Sequence, residues 1–436
     1  MDIYNFISLL GMVGFLAIAW GLSENRKALN YKVVGWGIGL QFLIALFVFV
    51  VPVGAKFFLF LNDVVVQILG SATAGAKFVF GRLAFSPGEV DALGQGSLGF
   101  ILAFQAFPTI IFFSSLVAIL YYFNIMPVII RGFARVFTKL MKISGVESVV
   151  AASNIFVGIE AALTVKPHLK DMTRSEACTI LTVGMATVAS SVLGLYVFTL
   201  QGVFPTIAAH LVSASLLSAP AALVMSKMLV PESEQPKTLG EDIHPHYEKD
   251  NNLFEAVING ANAGVKMIVG ITALLIAVLG LVALFDLILG GIGGKINAIA
   301  GLTIDWSLKG LLGYIFYPFV LLLGIPLQDA GVASKIIAER VIVTEVVAYQ
   351  DLAAAMADNV FSHPRSAVVT AYALCGFAHL ASMAIFVGGI SALAEEKKGV
   401  LAQVSLRALL GATLACLLTA CIAGVFYTQT SLIFGG

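Results

Sequence analysis

Two glutamates, Glu160 and Glu345, stand in apolar stretches that are too short to span a membrane. Each follows a similar phrase that begins with Gly-Val and ends with Ser, at residues 145–148 and 331–334. The glutamates come fifteen and fourteen residues after the glycines of these phrases. An ionised carboxylate in hydrocarbon costs about 2.5 kcal/mol or more, so such residues mark functional sites. Two of them in matching positions of two half-chains predict a solute site between structural repeats.

The composition is that of a membrane protein with many spans. The chain has 436 residues, of which 59% are hydrophobic and 11% are charged. A soluble domain carries about 25% charged residues. The net charge of +0 does not indicate the excess of basic residues that binds nucleic acid. The N-terminus lacks a basic segment, so the first apolar run is predicted to be a retained helix rather than a signal peptide. The cysteines show neither metal nor disulfide spacing and are expected to be core thiols: Cys178, Cys375, Cys416 and Cys421.

Apolar runs of about 20 residues predict helices that cross the membrane. Eight such spans are predicted, at 4–22, 32–52, 100–124, 175–200, 205–230, 262–289, 366–393 and 403–428. Residues 308–326 are apolar but ambiguous. Residues 54–84 mix Phe and Val with four charges, at Lys56, Asp63, Lys77 and Arg82. That pattern predicts a helix that lies in the membrane interface rather than across it.

The basic residues indicate the orientation of the spans. The loop after the first span holds Arg26, Lys27 and Lys32, and the stretch after residue 124 holds Arg131, Arg135, Lys139 and Lys142. Both are predicted to be cytoplasmic, which places the N-terminus outside. The spans alternate correctly if residues 54–84 stay on the outer surface. Residues 231–252 form a long acidic loop, which is interpreted as a solvated linker.

Two apolar segments, residues 144–167 and 329–351, are interrupted by small and polar residues and by the two glutamates. Interrupted segments at membrane depth are tolerated where they are buried in protein or line a wet cavity. We interpret both as re-entrant hairpins. Each is followed by a span with small and polar residues at its middle, at 187–194 and 375–382. Small residues alone could serve only close helix packing. That alternative does not explain two glutamates and His379.

Several side chains near these breaks could bind a solute or an ion. Asn154 lies six residues before Glu160, and an amide oxygen beside freed backbone carbonyls suits a small hard cation. Its alternative role is an interhelical hydrogen bond. His379 places at mid-span an imidazole, a side-chain type that can bind and release protons near neutral pH; its alternative role is that of a satisfied core histidine. In the second hairpin, Lys335, Glu339 and Arg340 are expected to form a paired or wet face.

Strings that would indicate catalysis are absent or out of context. The glycine-rich string at residues 94–99 matches a dinucleotide fingerprint but follows a polar stretch and leads into a span. No string typical of a zinc protease, a serine hydrolase or a thiol redox site occurs in the sequence. The chain is therefore not expected to be an enzyme, and an intramembrane enzyme is the weakest of the alternatives.

Five strings make the chain resemble the concentrative nucleoside transporter family, at residues 153–160, 165–167, 186–194, 345–349 and 373–378. The resemblance covers nearly the whole chain. It implies an all-α polytopic membrane protein with about eight transmembrane helices, two re-entrant hairpins and an interfacial helix. Inverted internal repeats, a homotrimer and a transport domain that moves like an elevator are also implied. An inward sodium or proton gradient would drive nucleoside uptake.

The resemblance also implies roles for particular residues. The cation, expected to be sodium, would be held at Asn154, Val157, Thr187 and Val188. Glu160 would lie on the nucleobase side of the solute. Ribose hydroxyls would meet Glu345, His379 and Ser382, and the base would have apolar contacts with Val192 and Phe377.

The chain departs from the family pattern where the solute would be read. The first hairpin holds Ile159 before Glu160 and is one residue short, so the glutamine and hydroxyl that read the base are missing. Thr344 stands where an asparagine is usual, and His379 replaces the amide that serves the ribose. A lost buried hydrogen-bond partner costs about 1–3 kcal/mol. The protein is expected to recognise the base through fewer hydrogen bonds than its relatives use, or to carry a different solute.

These observations predict a cation-coupled secondary transporter that imports nucleosides or nucleoside-like solutes across a plasma membrane, such as a bacterial inner membrane. A membrane sensor that binds a solute without net transport, or a carrier of another solute, remains an alternative.

The predicted organisation of the chain has seven segments. They are the N-terminal helices (1–52), interfacial helix and outer loop (53–99), scaffold helix and connection (100–143), first transport half (144–230), polar linker (231–261), second scaffold segment (262–328) and second transport half (329–436).

Overall fold

The computed structural model describes residues 2–90, 94–429, 431 and 433 of the chain. Helices make up its regular structure in that part, and only two isolated β-bridges occur there. Residues 91–93 of the predicted outer loop and part of the predicted end of the second transport half lie outside the described residues.

The α-helices of the first half are α1 Ile3–Gly21, α2 Tyr31–Ala45, α3 Pro52–Phe80, α4 Leu102–Gln105, α5 Phe107–Tyr122, α6 Ile125–Met141, α7 Gly145–Asn154, α8 Arg174–Ala186, α9 Ser190–Leu200 and α10 Ile207–Leu229. Those of the second half are α11 Leu253–Ala300, α12 Leu308–Leu322, α13 Leu327–Ile342, α14 Glu345–Ala357, α15 Pro364–Leu374, α16 Leu380–Leu393 and α17 Lys398–Phe426. A π-helical turn, Leu46–Val50, extends α2, and a 3₁₀ segment, Ile159–Asp171, follows α7.

Eight helical stretches of the described chain are long and apolar enough to cross a membrane. Seven of them overlap the predicted spans. The stretch that overlaps the predicted span 175–200 contains the break between α8 and α9. The predicted span 366–393 is instead divided into α15 and α16, because residues 375–379 leave the helix. The eighth stretch, Pro52–Ala84, contains α3. Its length and composition would also allow a crossing, so its interfacial position stays a prediction.

Contacts at the two ends of the molecule show that the hairpins enter from opposite sides. At one end, Glu24 after α1 pairs with Arg174 at the start of α8 and Arg407 in α17. At the other end, Arg365 at the start of α15 donates to the carbonyls of Tyr4 in α1 and Gly324 before α13. The first hairpin, α7 with the 3₁₀ segment, therefore begins at the end opposite to the second hairpin, α13 with α14. This arrangement is an inverted repeat.

The breaks of the two repeats meet in the core. The tip of the first hairpin contacts the α8–α9 break, where the Ser190 N–H donates to the Phe156 carbonyl at 2.9 Å. The α15–α16 break reaches the same region at Gly376, whose φ of +126° favours glycine. A Cβ on Gly376 would lie 2.7 Å from the Ala186 carbonyl oxygen. Hairpin tips and helix breaks thus form one central layer.

The acidic segment after α10 is largely exposed, but part of it binds the first hairpin. Gly145 donates its N–H to the Thr238 carbonyl at 2.8 Å, and His246 donates to the Thr164 carbonyl at 2.7 Å. Asp242 pairs with Arg135 of α6 at 2.7 Å, and this hydrogen bond lowers the pKa of the carboxyl. The helix that follows begins at Leu253, within the segment predicted as linker. We call residues 238–250 the strap.

Candidate functional site

Glu345 is the first residue of α14 and lies at the break of the second hairpin. Glu345 is only 4% exposed, and the Tyr196 hydroxyl of α9 donates to its Oε1 at 2.7 Å. Nε2 of His379 lies 3.0 Å from Oε2. The N-terminus of a helix favours negative charge because its N–H groups are unpaired. A buried carboxylate is therefore held between a helix end and two side-chain donors.

His379 is the N-cap of α16, and its hydrogen bonds fix its tautomer. The Ser382 N–H donates to Nδ1 at 3.1 Å, so the neutral imidazole carries its proton on Nε2, the atom that faces Glu345. The Ser382 hydroxyl lies within hydrogen-bonding distance of the His379 and Phe377 carbonyls. The structure thus brings the predicted site residues Glu345, His379 and Ser382, with the carbonyl of Phe377, together in one closed polar cluster.

Glu160 lies in a different setting, because its side chain is exposed to a cavity of about 490 Å³. The cavity separates the first hairpin from α5, α11 and the strap. Its walls include Tyr121, Val157, Glu160, Ser191, His246, Tyr247 and Met267. A Cβ on Gly158 would lie 3.2 Å from Cβ of Ala189 and 3.4 Å from Oε2 of Glu160. The carboxylate is thus close to the α8–α9 break as well as to the open space.

Asn154 has an unpaired oxygen of the kind that a small cation needs. It ends α7, is 1% exposed, and donates through Nδ2 to the Val150 carbonyl at 3.0 Å. Its Oδ1 is buried without a hydrogen-bond partner among the described residues. Thr187 donates its hydroxyl to the Val183 carbonyl at 3.0 Å, which leaves its oxygen lone pairs available. An amide oxygen, a hydroxyl and unwound backbone form a hard-oxygen donor set.

The other residues predicted to hold the cation lie in the same region. Val157 lines the Glu160 cavity, and the Ser215 hydroxyl lies 3.4 Å from the Val188 carbonyl and 3.1 Å from that of Ile155. Ser215 of α10 therefore joins the hairpin to the broken helix. Within the described part of the chain, no group of three or more His, Cys, Asp and Glu residues could hold a transition metal.

The apolar site residues differ in where their side chains lie. Val192 is buried in α9, and Phe377 is half-buried at the α15–α16 break. Ile159 extends toward α16, where a Cβ on Gly389 would lie 2.5 Å from its Cδ1. Glu345, His379 and Ser382 are not among the residues that line the Glu160 cavity. The two glutamates thus occupy an open and a closed part of the site.

Residues that the sequence did not single out complete both parts. Tyr196 is the hydroxyl donor to Glu345, and it stands nine residues after Thr187 in the same broken helix. Tyr121 and Tyr247 meet across the Glu160 cavity with ring centroids 6.2 Å apart. The position of Tyr196 after a polar break is a signal that could have been used. Nothing in the strap sequence predicts that Tyr247 reaches this cavity.

Lys335, Glu339 and Arg340 do not share one face. Lys335 pairs with Asp305 at 2.6 Å, and Glu339 pairs with Lys309 at 2.6 Å. Arg340 is fully buried, and the described residues offer it no carboxylate at ion-pair distance. The prediction of a paired face is therefore correct for the first two residues only.

Known proteins resemble this chain in both sequence and fold. Residues 10–83 and 210–424 match the families described as the N-terminus and C-terminus of the Na+ dependent nucleoside transporter, and residues 103–204 match one described as nucleoside recognition. The chain is 35% identical to the nucleoside permease NupC of Helicobacter pylori, covering 97% of this chain and 98% of the relative. It is also 35% identical to mouse solute carrier family 28 member 3, but spans only 59% of that protein's length.

A solved structure extends the likeness to three dimensions. The structure of CNTnw in an inward-facing substrate-bound state has a TM-score of 0.86 at 33% identity, covering 97% of this chain and 98% of that chain. This likeness, together with the inverted hairpins and broken helices, identifies an elevator-type transporter fold. Because matches of this identity extend over almost the full length of both chains, the protein belongs to the Na+ dependent nucleoside transporter family.

Proposed function

We propose that this protein imports nucleosides or nucleoside-like solutes together with a cation. The observation that carries the proposal is the position of Glu160, which faces a cavity of about 490 Å³ beside the junction of a hairpin tip and a helix break. Related proteins named for nucleoside transport support the solute class. A carboxylate in that cavity accepts hydrogen bonds from the amino or ring N–H groups of a base.

The sugar would bind beside the cluster of Glu345, His379 and Ser382, with its hydroxyls donating to the carboxylate oxygens of Glu345. Tyr196 already donates to one Glu345 oxygen and His379 lies at hydrogen-bonding distance from the other. A carboxylate oxygen has a second lone pair, so each can still accept one hydroxyl. Ile159 lies against α16 rather than in the cavity, so the residue before Glu160 would make no polar side-chain contact with a base there. Base recognition would therefore rest on Glu160 and on apolar contacts from Val192 and Phe377.

Sodium is the cation we propose. The unpaired Asn154 Oδ1 supplies one ligand, and Thr187 with the carbonyls of Val157 and Val188 would supply the others. A cation there would join the first hairpin to the α8–α9 break. Its binding favours the solute-competent state only by its difference in affinity between the two states. That difference is what would couple the sodium gradient to uptake.

We further propose that the protein works as a homotrimer in a bacterial inner membrane. The family resemblance supports the trimer, and the almost wholly exposed apolar surface of α11 offers area for both lipid and neighbouring subunits. The basic residues near α1, α6 and α8 would face the cytoplasm. The Glu160 cavity, which the strap borders, would then lie toward the cytoplasmic side.

Uptake into proteoliposomes tests this function. Radiolabelled uridine and adenosine are offered under an inward sodium gradient, an inward proton gradient, or neither. We expect sodium-dependent accumulation that unlabelled nucleosides inhibit, and a strong loss in Glu160→Gln. Glu396→Gln, at an exposed site between α16 and α17, is the matched control. If no nucleoside, base or ribosyl compound moves or competes, the solute class is wrong. Binding without accumulation would instead favour a membrane sensor.

A further inference from the structure

The first arms of the two hairpins correspond residue by residue. Asn154 lies nine residues after Gly145, and Arg340 lies nine residues after Gly331. The helical hydrogen bonds that end the arms match as well. Val157 donates to the Ser153 carbonyl at 2.9 Å, and Val343 donates to the Glu339 carbonyl at 2.8 Å. All these pairs are separated by 186 residues. Arg340 therefore occupies, in the second repeat, the position of the cation ligand Asn154 in the first.

Arg340 is an unusual residue to find there, because its charge is buried without a counterion. It is 0% exposed, and its Nη1 donates to the Ala373 carbonyl at 2.6 Å. Nε and Nη2 have no hydrogen-bond partner among the described residues. The neighbouring acid, Glu339, pairs with Lys309 instead. A buried charge without a carboxylate partner is costly, so something else must stabilise it.

The backbone carbonyl that accepts from Nη1 supplies part of that stabilisation. Ala373 lies in the last turn of α15, next to the break, and a helix C-terminus carries partial negative charge. The Cys416 thiol lies beside the guanidinium and donates to the Cys375 carbonyl at 2.8 Å. Half-helix C-termini and unwound carbonyls are the groups that hold coupling ions in secondary transporters. The second repeat thus presents a cation environment with a positive side chain already inside it.

We propose that Arg340 is a tethered cation that permanently fills the second repeat's counterpart of the coupling-ion site. It joins the second hairpin to the end of α15, as the mobile cation would join the first hairpin to the end of α8. The consequence is one coupling cation for each solute. This inference rests on the proposed function, because it assumes that the first repeat binds the cation.

Coupling ratios in proteoliposomes test the inference. For the wild-type protein we expect one sodium ion per solute and a Hill coefficient near one for sodium. Arg340→Asn gives the second repeat the same amide as Asn154 and removes the fixed charge. We expect its Hill coefficient to rise toward two, with uptake that is weak at low sodium and recovers at high sodium. Arg340→Lys retains the charge and should keep a coefficient near one. Arg407→Asn, at the surface, is the control.

Several outcomes would overturn the inference. A wild-type ratio of two or more sodium ions per solute would do so, as would a transporting Arg340→Asn protein whose Hill coefficient stays near one. If Arg340→Asn does not fold, the wild-type ratio decides. If the wild-type protein moves no nucleoside under either gradient, the proposed function fails. Stabilisation against heat by sodium then tests Arg340 separately, since only Arg340→Asn should show a second, weaker sodium-dependent rise in melting temperature.

Discussion

The imidazole Nε2 of His379 lies 3.0 Å from Oε2 of Glu345, while the Tyr196 hydroxyl donates to Oε1 of the same carboxylate at 2.7 Å. Because Nδ1 of His379 accepts the Ser382 N–H, the histidine offers the solute neither a free donor nor a free acceptor. An amide at this position could both donate and accept. The pair therefore holds Glu345 in place at the expense of contacts that a sugar could use.

Replacing His379 by asparagine should improve the handling of ribonucleosides. The shorter amide would leave Oε2 of Glu345 and provide its own donor and acceptor to ribose hydroxyls. The freed Oε2 of Glu345 could then accept a ribose hydroxyl, and one hydrogen bond to a charged group is worth about 1.5–3 kcal/mol. We therefore expect a fall of about tenfold or more in the KM for ribonucleosides. Dideoxynucleosides should gain little. Competition by both classes measures the effect, with His244→Asn in the exposed strap as control. An equal gain for both classes would contradict the role in sugar binding.

Removal of the Tyr196 hydroxyl should weaken both the fold and the site. Tyr196→Phe leaves Oε1 of the buried Glu345 without its protein donor, which costs about 1–3 kcal/mol. We expect a lower melting temperature and a raised KM, with recovery of part of the melting temperature at saturating solute. Tyr349→Phe is the control, because its hydroxyl donates only to the Ala371 carbonyl at 3.1 Å. Equal effects of the two substitutions on KM would show that Tyr196 acts only through stability.

The sequence predicted the elements better than the contacts between them. Long apolar runs and their interruptions place the spans, both hairpins and the α8–α9 break, because a membrane restricts the length and polarity of each. The polar break before Tyr196 could have marked it as a site residue, but not as the partner of Glu345, since the two are 149 residues apart. The strap was missed for another reason. His246 contacts Thr164 through backbone atoms, which every residue possesses, so its side chains carry no signal of that contact.

Asp305, in the loop before α12, should make a stabilising contribution that depends on pH. The Lys335 hydrogen bond lowers the pKa of this carboxyl to about 2, from an ordinary value of 3.8. A lowered pKa stabilises the fold above the ordinary value, and the contribution is lost as pH falls from about 4 to about 2. The difference in melting temperature between wild type and Asp305→Asn should thus be constant near neutral pH and vanish near pH 2. Asp358→Asn, at an exposed position, is the control.

Gly376 should tolerate no side chain. Its φ of +126° disfavours other residues, and a Cβ would lie 2.7 Å from the Ala186 oxygen and 2.9 Å from Sγ of Cys416. Backbone strain alone costs about 1–3 kcal/mol, and the clash would separate the two breaks. We expect Gly376→Ala to lose most uptake and to melt at a lower temperature. Gly388→Ala, on open helical surface, should retain both. Normal uptake by Gly376→Ala would mean that contact between the breaks is not needed for transport.

Asn154 should decide whether sodium stimulates uptake. Asn154→Ala removes the unpaired Oδ1 and also the Nδ2 donor to the Val150 carbonyl, so the variant must be compared with one that separates these effects. Asn154→Asp keeps the oxygen, loses the donor and adds a negative charge. We expect Asn154→Ala to lose sodium stimulation and Asn154→Asp to retain it. Initial rates of uptake over a sodium series at fixed solute provide the measurement, with thermal melting as a test of folding. Sodium dependence that survives in Asn154→Ala, or disappears equally in both folded variants, would place the coupling ion elsewhere.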